Sequence, residues 1–189
     1  MKLILVSQSP RRKELLEMAG YRFEVFVPDI DEDGFDHDNY EELPVLLARQ
    51  KAAVAAGVFP SDVLIAADTI VVLNGEIIGK PGDESEAFRM LKKLSGNTHT
   101  VVTGVCVRKG DTCVGFNDLS LVTFKELSDD EINFYIRNYH PFDKAGSYGC
   151  QDFIGLIGIE RIEGSFYNVM GLPVHKVYPV LKEFGILPE

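Results

Sequence analysis

The segment Val63-Leu-Ile-Ala-Ala-Asp-Thr-Ile-Val-Val-Leu73 is apolar on both faces of an extended chain. A strand of that kind has no side to give to water, so it belongs inside a sheet covered above and below. Asn74-Gly75 follows directly and predicts a tight hairpin returning through Glu76 to Ile78. Before it, Leu3 to Val6 reads as a short strand. A helix is expected from Pro10 to Ala19, with Ser9 at the N-cap, Pro10 at the first helical position and Gly20 at the stop. A second strand near Phe23 to Val27 and a helix from Leu43 to Ala56, closed by Gly57, come next. Beyond the hairpin, Asp83-x-x-Glu86 predicts a capping box for a helix ending at Gly96. Strands are expected over Thr100 to Arg108 and Val114 to Leu127, and Ser128-x-x-Glu131 opens another helix that His140-Pro141 terminates. A hairpin over Phe153 to Ile162 and a helix from Pro173 to Phe184 complete the expectation. The alternation of strands and helices predicts an α/β fold, a single elongated domain with a mixed sheet.

Composition narrows the function classes. At 189 residues, 46% hydrophobic and 25% charged, with a mean hydropathy of +0.02, the chain has the profile of a globular domain able to bury roughly 70% of its unfolded surface. Its longest apolar runs, Val63 to Ala67 among them, are five residues, far short of the roughly 20 residues that span a bilayer, so no membrane partner is expected. Leu3 to Val6 runs straight into Ser-Gln-Ser-Pro-Arg-Arg, unlike a signal peptide, and the expectation is a cytoplasmic protein. Three cysteines, Cys106, Cys113 and Cys150, without a Cys-x-x-Cys pair, fit reduced thiols. Of the net charge of −10, most comes from one stretch: eight of the 29 acids lie between Asp29 and Glu42, where there is no Lys or Arg. Nucleic-acid binding needs clustered positive charge, so no nucleic-acid partner is expected, whereas a small anion remains compatible with a local concentration of cations.

Four places break local rules, and such places tend to be functional. Ser7-x-Ser9-Pro10-Arg11-Arg12-Lys13 puts three cations into the first turn of a helix, where the macrodipole already disfavours positive charge. Free backbone N–H groups, Ser7 and Ser9 hydroxyls and two Arg forks make a phosphate cradle; the alternative is a solvated cluster. Asp68 interrupts the doubly apolar strand, where an unpaired carboxylate is costly, so it needs a partner, whether structural, catalytic or metallic. Lys51 falls on the apolar stripe of its helix, either reaching inward to an anion or snorkelling at the stripe's edge. Lys80, in Gly79-Lys80-Pro81-Gly82, and Lys144, in the small-residue stretch Asp143 to Gln151, sit in loops able to approach a ligand and equally able to be only loops. His37, His99, His140 and His175 show no metal-ligand spacing, and P-loop, dinucleotide and nucleophile-elbow motifs are missing.

Five stretches taken together resemble a known family. Ser7-Gln8-Ser9-Pro10-Arg11-Arg12-Lys13-Glu14-Leu15-Leu16, Ala67-Asp68-Thr69, Gly79-Lys80-Pro81, Asp143-Lys144-Ala145-Gly146-Ser147-Tyr148-Gly149-Cys150-Gln151 and Val169-Met170-Gly171-Leu172-Pro173 match, in order and spacing, the Maf family of nucleoside triphosphate pyrophosphatases. The resemblance runs over essentially the whole chain. It implies one domain spanning residues 1–189 with a central cleft, similar to the inosine triphosphate pyrophosphatase-like fold, and a homodimer. It also implies hydrolysis of a nucleoside triphosphate to the monophosphate and pyrophosphate with a divalent metal, Mg2+ or Mn2+. By the same resemblance Asp68 matches the proton acceptor, and Glu32 an acidic position that helps hold metal or water. Arg12, Lys51 and Lys80 match basic positions near the phosphates. Arg11, Thr69 and Gln151 match base-selectivity positions in the combination of the subgroup acting on dTTP and UTP, and Ser7, Ser9 and Lys144 complete the substrate-binding set. Ser147 and Cys150 stand where Ala and an aliphatic residue are usual, and Asp152-Phe153 replaces a more Gly-rich continuation. The family is also linked with septum formation, which keeps a nucleotide-binding regulator of division as the alternative to an enzyme.

Overall fold

Parallel strand pairing organises the start of the chain in the computed structural model, which describes residues 1–29 and 39–189. Strand β1 (Leu3–Val6) leads into helix α1 (Pro10–Met18), strand β2 (Glu24–Phe26) and, past the acidic segment, helix α2 (Leu43–Val58). Strand β3 (Val63–Leu73) follows. β1 lies between β2 and β3, parallel to both, in a register running from Leu3 opposite Val63 to Val6 opposite Ala66. The remaining elements are β4 (Glu76–Ile78), α3 (Glu84–Leu94), β5 (Thr98–Lys109), β6 (Thr112–Phe124), α4 (Asp129–Tyr139), two short 3-10 turns (Pro141–Asp143 and Ala145–Ser147), α5 (Phe153–Gly158), β7 (Ile159–Glu163), α6 (Phe166–Met170) and α7 (Val174–Glu183). One sheet of seven strands has the order β2-β1-β3-β5-β6-β7, with β4 paired to β3. The parallel β1 pairs and the antiparallel β3–β4 and β6–β7 pairs make it mixed, the α/β class expected from the sequence.

The chain forms two compact units. The first comprises Met1–Asp68, Thr103–Asp118 and Gly171–Glu189. Its core places Ile4, Val6, Leu64, Ala66 and Cys106 with the small residues Ala48, Ala52 and Ala55 of α2. Alanines at that spacing form one helix stripe and let helix and sheet approach closely. The approach is closest at Gly104, where a Cβ would lie 2.2 Å from the Pro44 carbonyl carbon and the Val45 nitrogen. The second unit comprises Thr69–Val102 and Leu119–Met170. There Asn74 and Gly75 take the positive φ angles, 52° and 81°, that a tight β3–β4 hairpin demands, and Val71 pairs with Ile78.

Helix ends follow the expected signals with instructive exceptions. Ser128 and Glu131 form the complete reciprocal capping box of α4. At α3 the box is half made: Asp83 accepts from the Glu86 N–H, but Glu86 reaches back to the N–H of Gly82. Ser9 occupies the N-cap of α1 without a side-chain cap bond. Gly57 does not close α2, which continues to Val58; its φ is not left-handed, and a Cβ there would meet nothing within 4 Å, so nothing forces the helix to stop at it. The expected hairpin over 153–162 is half wrong. Phe153–Gly158 is a helix, because Ile154 and Gly158, one helical turn apart, are both buried while Leu156 stands exposed, which is helical and not alternating periodicity. Only β7 is strand, pairing with β6 from Leu121 opposite Glu163 to Phe124 opposite Ile159. α6 was not anticipated; five residues are too few to carry a period. Cys106, Cys113 and Cys150 are all free thiols. Among the described residues no helix is long and apolar enough to cross a membrane.

Candidate active site

Within the first unit, α1 begins just after β1 and carries the cations expected there. No acid occupies the first turn of α1, so the helix dipole and the side chains add charge of one sign. Arg12 is buried, and its guanidinium is set by two neutral acceptors: Nε donates to the Gly171 carbonyl at 2.8 Å and Nη1 to Ser7 Oγ at 3.1 Å. Ser7 Oγ also accepts from the Ser9 N–H at 3.2 Å. Gly171 sits at φ 113°, a backbone setting that side chains resist, which gives the Val169 to Pro173 motif a physical reason for its glycine. Arg11 is half-buried. A fixed, buried Arg fork beside a Ser hydroxyl and a helix N-terminus is an anion-binding arrangement.

The same unit joins the other two rule-breaking residues to each other. Lys51 does not snorkel: it is buried, and its Nζ donates to Asp68 Oδ1 at 2.6 Å, with side chains 10% and 15% exposed. The partner that Asp68 needed is therefore a lysine from the buried stripe of α2. A pair this enclosed is costly to desolvate and weak evidence of stabilisation, so its placement is better accounted for by chemistry than by folding.

In the second unit, Thr69 is half-buried on β3, next in sequence to Asp68. Lys80 is exposed on the turn after β4, and that turn is tied to the 143–151 loop through the Gly146 N–H, which donates to the Gly79 carbonyl at 2.9 Å. Gly146 and Ser147 both have left-handed φ, 69° and 59°. Lys144 Nζ lies 2.9 Å from Asp143 Oδ1 and 3.7 Å from Asp152 Oδ2, and Gln151 is half-buried at the loop's end. Glu32 and His37 lie outside the described residues.

Residues to which the sequence reading gave no role at the site hold this loop. His99 Nε2 is 2.7 Å from Tyr148 OH, and the two rings meet edge to face at 5.3 Å while His99 stacks on Phe124. Burial lowers the His99 pKa to about 4, so the imidazole is neutral at pH 7, and burial pushes the Tyr148 phenol up. Tyr135 donates to Asp152 Oδ2 at 2.9 Å and accepts from the Gly149 N–H at 3.1 Å. A Tyr on the same helical face as Ile132 and Ile136 was the available signal, since a buried phenol needs a partner.

Comparisons with known proteins bear on this arrangement. A family model described as Maf-like protein matches residues 2–184. The chain is 54% identical over 191 residues to a dTTP/UTP pyrophosphatase of Porphyromonas gingivalis (strain W83), covering 97% of this chain and 94% of that one. A dTTP/UTP pyrophosphatase of Phocaeicola vulgatus is 50% identical over 184 residues, with 96% and 95% covered. More distantly, one from Thermosipho africanus is 46% identical over 188 residues, with 99% and 95% covered. Among solved structures, a HAM1 protein from Coxiella burnetii matches with a TM-score of 0.51 at 18% identity, covering 97% of this chain and 99% of that one, a likeness of fold.

Proposed function

The chain belongs to the Maf-like protein family, and on that premise we propose that it hydrolyses dTTP and UTP to the nucleoside monophosphate and pyrophosphate, as one Maf-like domain over residues 1–189. The observation that carries the reading is the Lys51–Asp68 pair: a carboxylate held by a buried ammonium, in a unit that also buries Arg12 on a helix N-terminus, within a chain 54% identical to a dTTP/UTP pyrophosphatase.

In this reading a water oxygen attacks the α-phosphorus, the bond from that phosphorus to the α,β-bridging oxygen breaks, and pyrophosphate leaves. Asp68 orients the water and takes its proton. Lys51 fixes Asp68 through Oδ1 and, with Arg12 and Lys80, neutralises charge that builds on the phosphates and leaving group. Ser7, Ser9 and the α1 N-terminus seat the phosphates. Among the described residues no group of three or more His, Cys, Asp and Glu could cage a metal, but Mg2+ or Mn2+ with a triphosphate needs only one or two carboxylates beside the phosphate oxygens. Asp68, whose Oδ1 accepts from Lys51, fits that requirement as a carboxylate ligand, and Glu32 is the second ligand proposed. When bound, the metal supplies charge neutralisation on the phosphates. Arg11, Thr69, Gln151 and Lys144 recognise the base and sugar: a pyrimidine offers carbonyl acceptors and an N3–H donor that Arg and Gln side chains complement. The reading also takes the protein to be a cytoplasmic homodimer without nucleic-acid or membrane partners.

The test is pyrophosphate release from a panel of ribo- and deoxyribonucleoside triphosphates with Mg2+ or Mn2+, beside Asp68→Asn. Preferential dTTP and UTP turnover that the variant lacks is expected. Tight binding without turnover under either metal would overturn the enzyme in favour of a nucleotide-binding regulator.

A further inference from the structure

Tyr135 is fully buried on α4, and its phenol makes two hydrogen bonds to one short stretch of loop. The hydroxyl donates to Asp152 Oδ2 at 2.9 Å and accepts from the Gly149 N–H at 3.1 Å, so the bonded positions stand either side of Cys150 and Gln151. The loop is built around this clamp. A Cβ at Gly149 would lie 2.5 Å from Asp152 Oδ2, and a Cβ at Gly155 would lie 2.2 Å from the Cys150 carbonyl oxygen. Asp152 also lies 3.7 Å from Lys144 Nζ, so one carboxylate links the phenol to the lysine at the loop's other end. The proposed reaction leaves Asp152 without a task.

From these contacts we infer that Tyr135 and Asp152 are positioning residues for base recognition: the phenol ties the Gly149 N–H on one side of Gln151 to the Asp152 carboxylate on the other, so that the Gln151 amide meets the base at one fixed setting, while Asp152 steadies Lys144. The inference rests on the reading of Gln151 as a base-contacting residue. A loop fixed before binding spares the cost of ordering it on binding, and a polar group held in one place discriminates against a base that cannot match it. His99, through Tyr148, anchors the residue preceding Gly149 and belongs to the same support.

Tyr135→Phe tests this with minimal change, because the ring keeps its stack on Tyr139 at 5.2 Å and only the hydroxyl is lost. The readout is the ratio of kcat/KM for dTTP to that for GTP, measured beside Gln151→Ala. The same molecules hydrolyse both nucleotides, so the ratio is blind to the fraction that folds. The ratio is expected to fall about 3- to 10-fold in Tyr135→Phe, chiefly through a higher KM for dTTP, as ordering one side chain on binding implies, and to fall further in Gln151→Ala. A lowered ratio in Gln151→Ala with an unchanged one in Tyr135→Phe overturns the positioning role alone. Unchanged ratios in both overturn the Gln151 reading and the inference with it. If Tyr135→Phe yields no soluble protein, Asp152→Ala breaks the same bond from a half-buried position and carries the same expectation.

Discussion

Replacing His99 by Phe removes a specific component of the protein's acid sensitivity. His99 is 2% exposed, and burial lowers its pKa from 6.5 to about 4. The unfolded chain therefore takes up a proton near pH 6.5 that the folded chain refuses until about pH 4. A group whose folded pKa is depressed contributes stability that is complete above the unfolded value and is lost as pH falls through this window. The whole displacement corresponds to about 3 kcal/mol, of which about 2 kcal/mol is lost between about pH 7 and about pH 5. His99→Phe also leaves the buried Tyr148 hydroxyl without its 2.7 Å partner, a cost of about 1–3 kcal/mol that does not vary with pH. The double variant His99→Phe/Tyr148→Phe removes both partners and separates the two effects. Urea unfolding at the two pH values reads each term: the wild type should lose about 2 kcal/mol more than either variant on acidification. Parallel losses in all three proteins would refute the argument, since His99 would then not be resisting protonation in the fold.

Further expectations follow from the same geometry. Lys51→Met leaves the Asp68 carboxylate without its 2.6 Å ammonium and should destabilise by about 3 kcal/mol in urea unfolding, while adding Asp68→Asn should recover most of that loss. Ser128→Ala dismantles the complete capping box of α4 and should cost about 1 kcal/mol with dTTP kinetics unchanged, because the cap lies outside the proposed machinery. Gly155→Ala forces a methyl group to within 2.2 Å of the Cys150 carbonyl oxygen; steady-state kinetics should show a raised KM for dTTP as the neighbouring loop moves.

Much of this was legible in the sequence, for a physical reason that differs from element to element. Val63 to Leu73 was unambiguous because a doubly apolar stretch has one stable environment, and Asn74-Gly75 because its two positive φ angles suit few other residues. Phe153 to Gly158 was misread because four apolar side chains and two glycines fit a strand or a helix equally well until tertiary packing, here of Gly158 against Phe124 and Leu127, chooses between them. At the site, Asp68 and Lys51 were each conspicuous as charges on apolar faces, but that they partner each other is a long-range fact that no local pattern contains. The sequence reading passed over Tyr135 entirely. A tyrosine on an apolar helix face looks like any core aromatic, and only the structure shows its hydroxyl bonded to both Gly149 and Asp152. Arg12 was expected to meet phosphate directly; that its fork is first set by the Gly171 carbonyl and Ser7 explains why two distant motifs belong to one arrangement.

The central claim is attack of water at the α-phosphorus, and the most direct test is turnover of dTTP in water labelled with heavy oxygen, followed by mass spectrometry of both products. The account predicts one labelled oxygen in the monophosphate and none in the pyrophosphate. Label in the pyrophosphate would place the attack at the β-phosphorus, and formation of the diphosphate with labelled inorganic phosphate would place it at the γ-phosphorus; either result would contradict the mechanism.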